Sequence, residues 1–456
     1  MSFSEIKRWA TTEWQSRTNS GDDSASSMTH PFEKRIVLER CGLIDPEAIS
    51  HAIANGAYDG LSKALAGFAD QVLSELELSK LRKRDGTAEP LAKKWRACSA
   101  AAGEKKFIVG RMAACAGTGK DHVLLSGDPH AVLEGMLIAA YAVGAGELRL
   151  CIDAGDTVAL QRARMAIEQA GKLGLLGENI LGSNFCCEAM VCEVLRNLGD
   201  EPSKLLNYLE GKPARTRVTP PSVEIHGLQA SPTVVESFET LAQVAVVLRQ
   251  GAVQFASTGA PEDPGTKLIA LAGKFENCSV IEVPTGISLR QVVSEIGVPA
   301  GKLKAVQLGY PAGPWLPESA LDVSLDCDAL RAAGCRGPMD VITAVDISEC
   351  AVELARRSAV EAHSISCGQC VFGREGTRQL MDVLTDLVRG RALAGDIELL
   401  LKISDGMKAG ALCADGRNAP DAVTSALTHF RAEFDAHVSA KQCPSSACYQ
   451  LQVVGK

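Results

Sequence analysis

The run "GDPHAVLEGMLIAAYAVGAGELRLCID", residues 127–153, limits what this chain can fold into more than any other stretch. Asp128 suits a helix cap, Pro129 its first position, and Gly144 or Gly146 its stop. The body between them is apolar nearly all round, so the helix has to be buried. A β-rich run, "ELRLCID", follows at once, and another, "KKFIVG", comes before. "DTVALQRARMAIEQAGKLGLLG" then reads as an amphipathic helix. Strand and helix alternate in this way over 105–260, which predicts a Rossmann-like α/β layer with parallel strands.

The period changes on either side. Between about 265 and 335, "TKLIALAG", "SVIEVPTG", "KLKAVQLG" and "ALDVSLD" read as short strands around one helix, "SLRQVVSEIG". That order predicts a small ubiquitin-like β-grasp domain. From about 345 the chain reads as a four-helix bundle with short loops. Upstream, "FEKRIVLERCGLIDPEAI" predicts a short strand and then helices, the first starting at Asp45-Pro46. The expected division is a flexible arm over 1–33, a helical segment over 34–104, the α/β domain over 105–260, the β-grasp domain over 261–338, the bundle over 339–440 and a tail over 441–456.

A net charge of −8 with no basic stripe among aromatics argues against nucleic acid as a partner. The lack of a long apolar run or a signal-peptide core predicts a cytoplasmic protein, or one peripheral to a larger assembly. In a reducing compartment the 16 cysteines should be thiols or metal ligands. Cys367 and Cys370 form a C-x₂-C pair at the first helix junction of the bundle. Iron–sulfur sites often use C-x₂-C-x₂-C with one distant cysteine. Gly373 stands in the third place, and Cys413 is a distant thiol of the right kind. Half a zinc site completed by His363 and a pair of buried thiols are the competing readings. Cys186, Cys187 and Cys192 lack metal-like spacing and read as core thiols, and His130 reads as a first-turn helix residue. "ACAGTGKD" approaches a phosphate-binding loop but departs from it at Ala114 and Asp121.

"SCGQCVFGREGT" resembles the S-C-G-x-C-x-P-C-R-E-G-T signature of the NADH-binding flavoprotein subunit of respiratory complex I, which has relatives in NAD-linked and electron-bifurcating hydrogenases and formate dehydrogenases. "GDPHAVLEGMLIAAYAVGA", "GLLGENILGSNF", "VPTGISLRQVV", "LKAVQLGYPAG" and "ALCADGRNAPDAVTSALTHFRAEFDAHV" extend the likeness over roughly 34–450. The resemblance implies FMN in the Rossmann-like domain, NADH stacked on it, a ubiquitin-like domain of the SLBB type, and a [4Fe–4S] cluster in the bundle. Hydride would pass from NADH to FMN, and single electrons would leave through the cluster. Implied partners are a thioredoxin-like [2Fe–2S] subunit and a catalytic hydrogenase- or dehydrogenase-type subunit. Cys443 and Cys448 recur in the hydrogenase-type relatives ahead of a ferredoxin module that is absent here, and read as spectators.

The family's flavin-phosphate loop, R-G-R-G-G-A-G-F-P-T-G-x-K-W, corresponds to "RKRDGTAEPLAKKW". Arg82, Arg84, Gly86, Pro90, Lys94 and Trp95 match. Lys83, Asp85, Ala88 and Ala92 replace glycines whose bare N–H groups would approach a phosphate. Glu89 replaces an aromatic. The N-A-D-E-x-x-P-G motif reads "GRMAACAG", with Gly110, Met112 and Ala113 at the Asn, Asp and Glu places; Gly117 fits, as does Asp121 downstream. "EVLRNLGDEPSKL" retains Glu201, and "VESFET" retains Glu239 and Thr240. The resulting expectation is a scaffold or regulatory paralogue. It keeps the frame and a three-cysteine centre ([3Fe–4S], or [4Fe–4S] with an open iron) and has lost FMN/NADH hydride chemistry. The alternative is an active NADH:FMN:[4Fe–4S] electron-input component.

Overall fold

The computed structural model describes residues 2–18, 30–112, 119–195, 198 and 201–454. Four strands, β1 (Phe107–Arg111), β2 (Glu147–Asp153), β3 (Glu188–Val194) and β4 (Thr233–Ser237), form one sheet in the order β3-β2-β1-β4, and every pair is parallel. β1 is buried along its whole length. The apolar helix Pro129–Val143 lies against this layer with only Tyr141 less than buried. Asp128 caps it through the Ala131 N–H at 3.1 Å, and Gly144 ends it at φ 76°. Helix Phe238–Gln250 crosses it so closely that a Cβ on Gly135 would overlap the Leu241 carbonyl. Only glycine permits that approach.

The second sheet is mixed. Strands β5 (Thr266–Gly273), β6 (Val280–Pro284), β7 (Leu303–Leu308), β8 (Trp315–Pro317) and β9 (Val341–Asp346) are ordered β8-β7-β9-β5-β6. β9 runs parallel to β5 and antiparallel to β7. Leu289, Val292, Val293 and Ile296 cover the sheet from the helical stretch 289–297. Two expectations change here. "ALDVSLD" forms no strand, because Asp326 caps helix Cys327–Ala332 through the Asp328 and Ala329 N–H groups. The central strand is instead β9, which lies beyond the expected boundary at 338. The bundle follows as Ala351–Ser364, Val371–Val388, Asp396–Gly410 and Asp421–His429, with the short helices Ala414–Asn418 and Arg431–Asp435.

The N-terminal segment departs from expectation in three places. Residues 3–18 are helical rather than a loose arm, because Ile6 and Ala10, four apart, bury one face completely. Around "RIVLER" there is no strand; the N–H groups of Ile36, Val37 and Leu38 donate to the Glu282 carboxylate at 2.9–3.2 Å. Asp45-Pro46 makes a turn, with the Glu47 N–H on Asp45 Oδ1 at 2.9 Å, and the helix begins at Ile49. Among the described residues no single helix is long and apolar enough to cross a membrane.

Candidate metal centres and the flavin loop

Cys370 is the N-cap of helix Val371–Val388, and its sulfur accepts the Gly373 N–H at 3.2 Å. Cys413 caps Ala414–Asn418 in the same way, with the Gly416 N–H at 3.4 Å. Both glycines let the two helix starts come together: a Cβ on Gly416 would lie 3.8 Å from Gly373 Cα. Cys367, in the preceding loop, joins Cys370, Cys413 and Gly373 in the wall of one cavity of about 90 Å³. The three sequence-predicted thiols therefore share one cavity, with Gly373 in its wall. Three thiols around a cavity fit three corners of an iron–sulfur cluster. His363 takes no part in that wall; its Nδ1 is 2.9 Å from Thr377 Oγ1.

A second group was not anticipated. Ligand atoms of Cys350, His437, Cys443 and Cys448 all lie within 4.8 Å of one another. His437 directs Nδ1 at the Glu433 carbonyl, 2.8 Å away, which places its proton there and leaves Nε2 facing Cys350 Sγ at 3.5 Å. An imidazole oriented through its other nitrogen is the usual arrangement for a metal ligand. Hydrogen bonds from Cys448 and His437 hold the Cys350 thiol well below its usual range. Three sulfurs and one imidazole nitrogen are a ligand set of the zinc type. Cys443 and Cys448 are thus not spectators. His437, Cys443 and Cys448 fall close together in sequence and carried a readable signal, but Cys350, 87 residues before His437, did not.

The other expected core residues are ordinary. His130 is buried, 2.8 Å from Tyr58 Oη and 3.2 Å from Gln169 Oε1, and burial pushes it down to about 4. Cys187 is buried, but Cys186 is exposed and so is not a core thiol, and Cys192 faces Cys151 across the β2–β3 pair.

In the flavin loop Arg82, Lys83, Arg84 and Lys94 each have a carboxylate partner. Arg82 meets Asp328 at 3.6 Å, and Lys83 meets Asp85 at 3.0 Å and Glu236 at 3.5 Å. Arg84 is buried against Asp263 at 2.5 Å, and Lys94 lies between Glu89 and Glu224 at 3.2 and 3.3 Å. Trp95 Nε1 donates to Glu236 at 3.3 Å, and the Arg84 N–H donates to Thr240 Oγ1 at 2.9 Å. Gly86 adopts φ 85°, and a Cβ there would run into the backbone of Gly337 and Pro338. Glu239 is bound by Lys120 at 2.6 Å and Lys267 at 3.0 Å, so the lysine of the near P-loop is committed inside the protein. Asp121 is buried in the first turn of Lys120–Gly127. Glu201 caps Pro202–Leu209 by accepting the Ser203 N–H at 3.4 Å, and it also accepts the Ser203 hydroxyl at 2.9 Å. Met112 Sδ accepts the Asp153 N–H at 3.3 Å. Ala113, Ala114 and Gly117 lie outside the described residues.

The cavity bordering Lys83, Arg84, Gly86 and Ala88 measures about 50 Å³. Each cation named in this loop is thus paired with a carboxylate, and Asp85 adds a buried negative charge beside Lys83. Burial pushes Glu236 up to about 7 against the pull of Lys83. Its folded-state pKa is thus above the unfolded value, and the folded state keeps a proton that the unfolded chain releases. This contribution to stability is present below about pH 4.5 and is lost as pH rises through about 7. Glu236→Gln should flatten that decline and gain up to about 3 kcal/mol above pH 7, measured as urea midpoints at about pH 5 and pH 8.

Comparison with known proteins identifies the frame. Residues 76–246 match the Nuo51 FMN-binding domain, and residues 353–437 match the NADH-ubiquinone oxidoreductase-F iron-sulfur binding region. The NADP-reducing hydrogenase subunit HndC of Solidesulfovibrio fructosivorans is 35% identical over 94% of this chain and 88% of its own length. This chain belongs to the family of NADH-binding flavoprotein subunits. An NADH-quinone oxidoreductase component of Rhizobium meliloti (strain 1021) is 36% identical over 90% of this chain and 99% of its own. An NAD+-reducing [NiFe]-hydrogenase, solved in the H2-reduced state, superposes with a TM-score of 0.78 at 26% identity, over 95% of this chain and 74% of that one. The matched iron–sulfur region of the family takes in Cys367, Cys370 and Cys413. It leaves out Cys350, Cys443 and Cys448, three of the four residues of the second candidate group.

Proposed function

We propose that this chain is a component of an NADH-linked redox complex that holds an iron–sulfur centre on Cys367, Cys370 and Cys413 and has closed its own flavin site. The observation that carries this reading is the flavin loop, where Lys83, Arg84 and Lys94 are matched to carboxylates and Asp85 is buried beside Lys83. A phosphate brought there would face those carboxylates in a poorly solvated site. The centre is of the [3Fe–4S] type, or [4Fe–4S] with a non-cysteine ligand on the iron nearest Gly373. Zinc at Cys350, His437, Cys443 and Cys448 has a structural part, fastening the tail to the start of the bundle. The partners are a thioredoxin-like [2Fe–2S] subunit and a catalytic hydrogenase- or dehydrogenase-type subunit, in the cytoplasm or peripheral to a membrane complex.

A second reading, an active NADH:FMN:[4Fe–4S] electron-input component, is favoured by the matched FMN-binding domain and by 35% identity across 94% of the chain. Both readings expect iron in the bundle. Anaerobic reconstitution with iron and sulfide should load roughly three or four irons per chain, with Cys413→Ser or Cys367→Ser losing them. A wild-type chain that stays iron-free would refute the cluster.

A further inference from the structure

One buried charge at the cysteine cavity belongs to neither the thiol set nor the bundle. Lys204 stands on helix Pro202–Leu209 of the α/β domain and is 2% exposed. Its ammonium lies 2.5 Å from the carboxylate of Asp415, two residues beyond Cys413, and lines the same cavity as Cys367, Cys370 and Cys413. The Lys204 ammonium and the Asp415 carboxylate therefore set one positive and one negative charge beside the cavity that the three thiols share. A lysine buried to this degree carries a desolvation cost of several kcal/mol. A plain tether between domains could have been apolar.

We propose that Lys204 is a tuning residue for the iron–sulfur centre: its buried ammonium stabilises the reduced, more negative state, and Asp415 restrains that effect. This inference rests on the cluster proposed above. In the titration a chemical reductant supplies one electron, and a cluster held there would gain one negative charge with no proton or bond moving. In a poorly solvated site a cation next to the sulfurs favours the side with the extra charge.

The test is a redox titration of reconstituted full-length protein, followed by the paramagnetic signal of the cluster, with iron counted in each variant. Lys204→Met should move the midpoint to more negative potential, Asp415→Asn should move it the opposite way, and Lys204→Arg should restore the wild-type value. Opposite shifts at equal iron content are not what a merely structural tether gives. Iron-replete variants with unmoved or same-direction midpoints would overturn the tuning role alone. Loss of iron or a changed cluster type in Asp415→Asn would make Asp415 an iron ligand, which also overturns it. Iron-free wild type would bring down the cluster reading and this inference with it.

Discussion

His437→Ala is expected to cost the protein one bound zinc per chain and to loosen the C-terminal end of the bundle. Cys350 is the N-cap of the first bundle helix, His437 lies in the helical stretch Ala436–Ala440 that follows the bundle, and Cys443 and Cys448 lie on the tail. One ion would therefore tie the beginning of the bundle to its end. Cys448 and Leu451 are buried in the same core as Leu380, Leu384 and Leu387, so the ion would act together with this packing in holding the tail. Loss of a structural metal is among the few single changes that cost above about 4 kcal/mol. The expected results are release of zinc, protease cleavage near residue 441 and a lower melting temperature for the mutant and for chelator-treated wild type. Metal-free wild type with a mutant that melts with it would contradict the assignment.

Lys83→Met is expected to destabilise the α/β domain by about 3–5 kcal/mol, because it leaves two buried carboxylates without their cation. Lys83 holds Asp85 well below the usual carboxylate range and opposes the rise at Glu236. Once Lys83 is gone, both acids are driven towards their neutral forms, so the penalty should grow as pH rises from about 5 to 8. Denaturant melts at both pH values check this. An unchanged midpoint would mean that the ion pairs of the loop do not hold it closed, and the space would then be open to a ligand.

The sequence was most legible where one element settles its own structure. The helix Pro129–Val143 carries its cap, its proline and its glycine stop within the run, and all three are used. β5, β6 and β7 were also visible as short apolar strands. β9 was not, because it is stabilised by pairing with β5 and β7, which are distant in the chain. The same distinction separates the two candidate metal centres. C-x₂-C announces Cys367 and Cys370 locally, whereas Cys350 meets its partners only through the closure of the bundle. The replacements in the loop 82–95 were readable in the sequence. Their consequence, Lys83 between Asp85 and Glu236, required β4 to be placed beside the loop. The N-terminal helix was missed because polar residues hid the pair Ile6 and Ala10.

The central claim is that the frame of this family is retained here while the flavin site is closed. The most direct measurement is FMN content of the protein purified anaerobically and incubated with FMN, followed by addition of NADH. The account predicts no retained flavin and no NADH-dependent bleaching, alongside iron on the bundle that Cys413→Ser removes. Stoichiometric FMN that NADH reduces would contradict it and establish the active electron-input component.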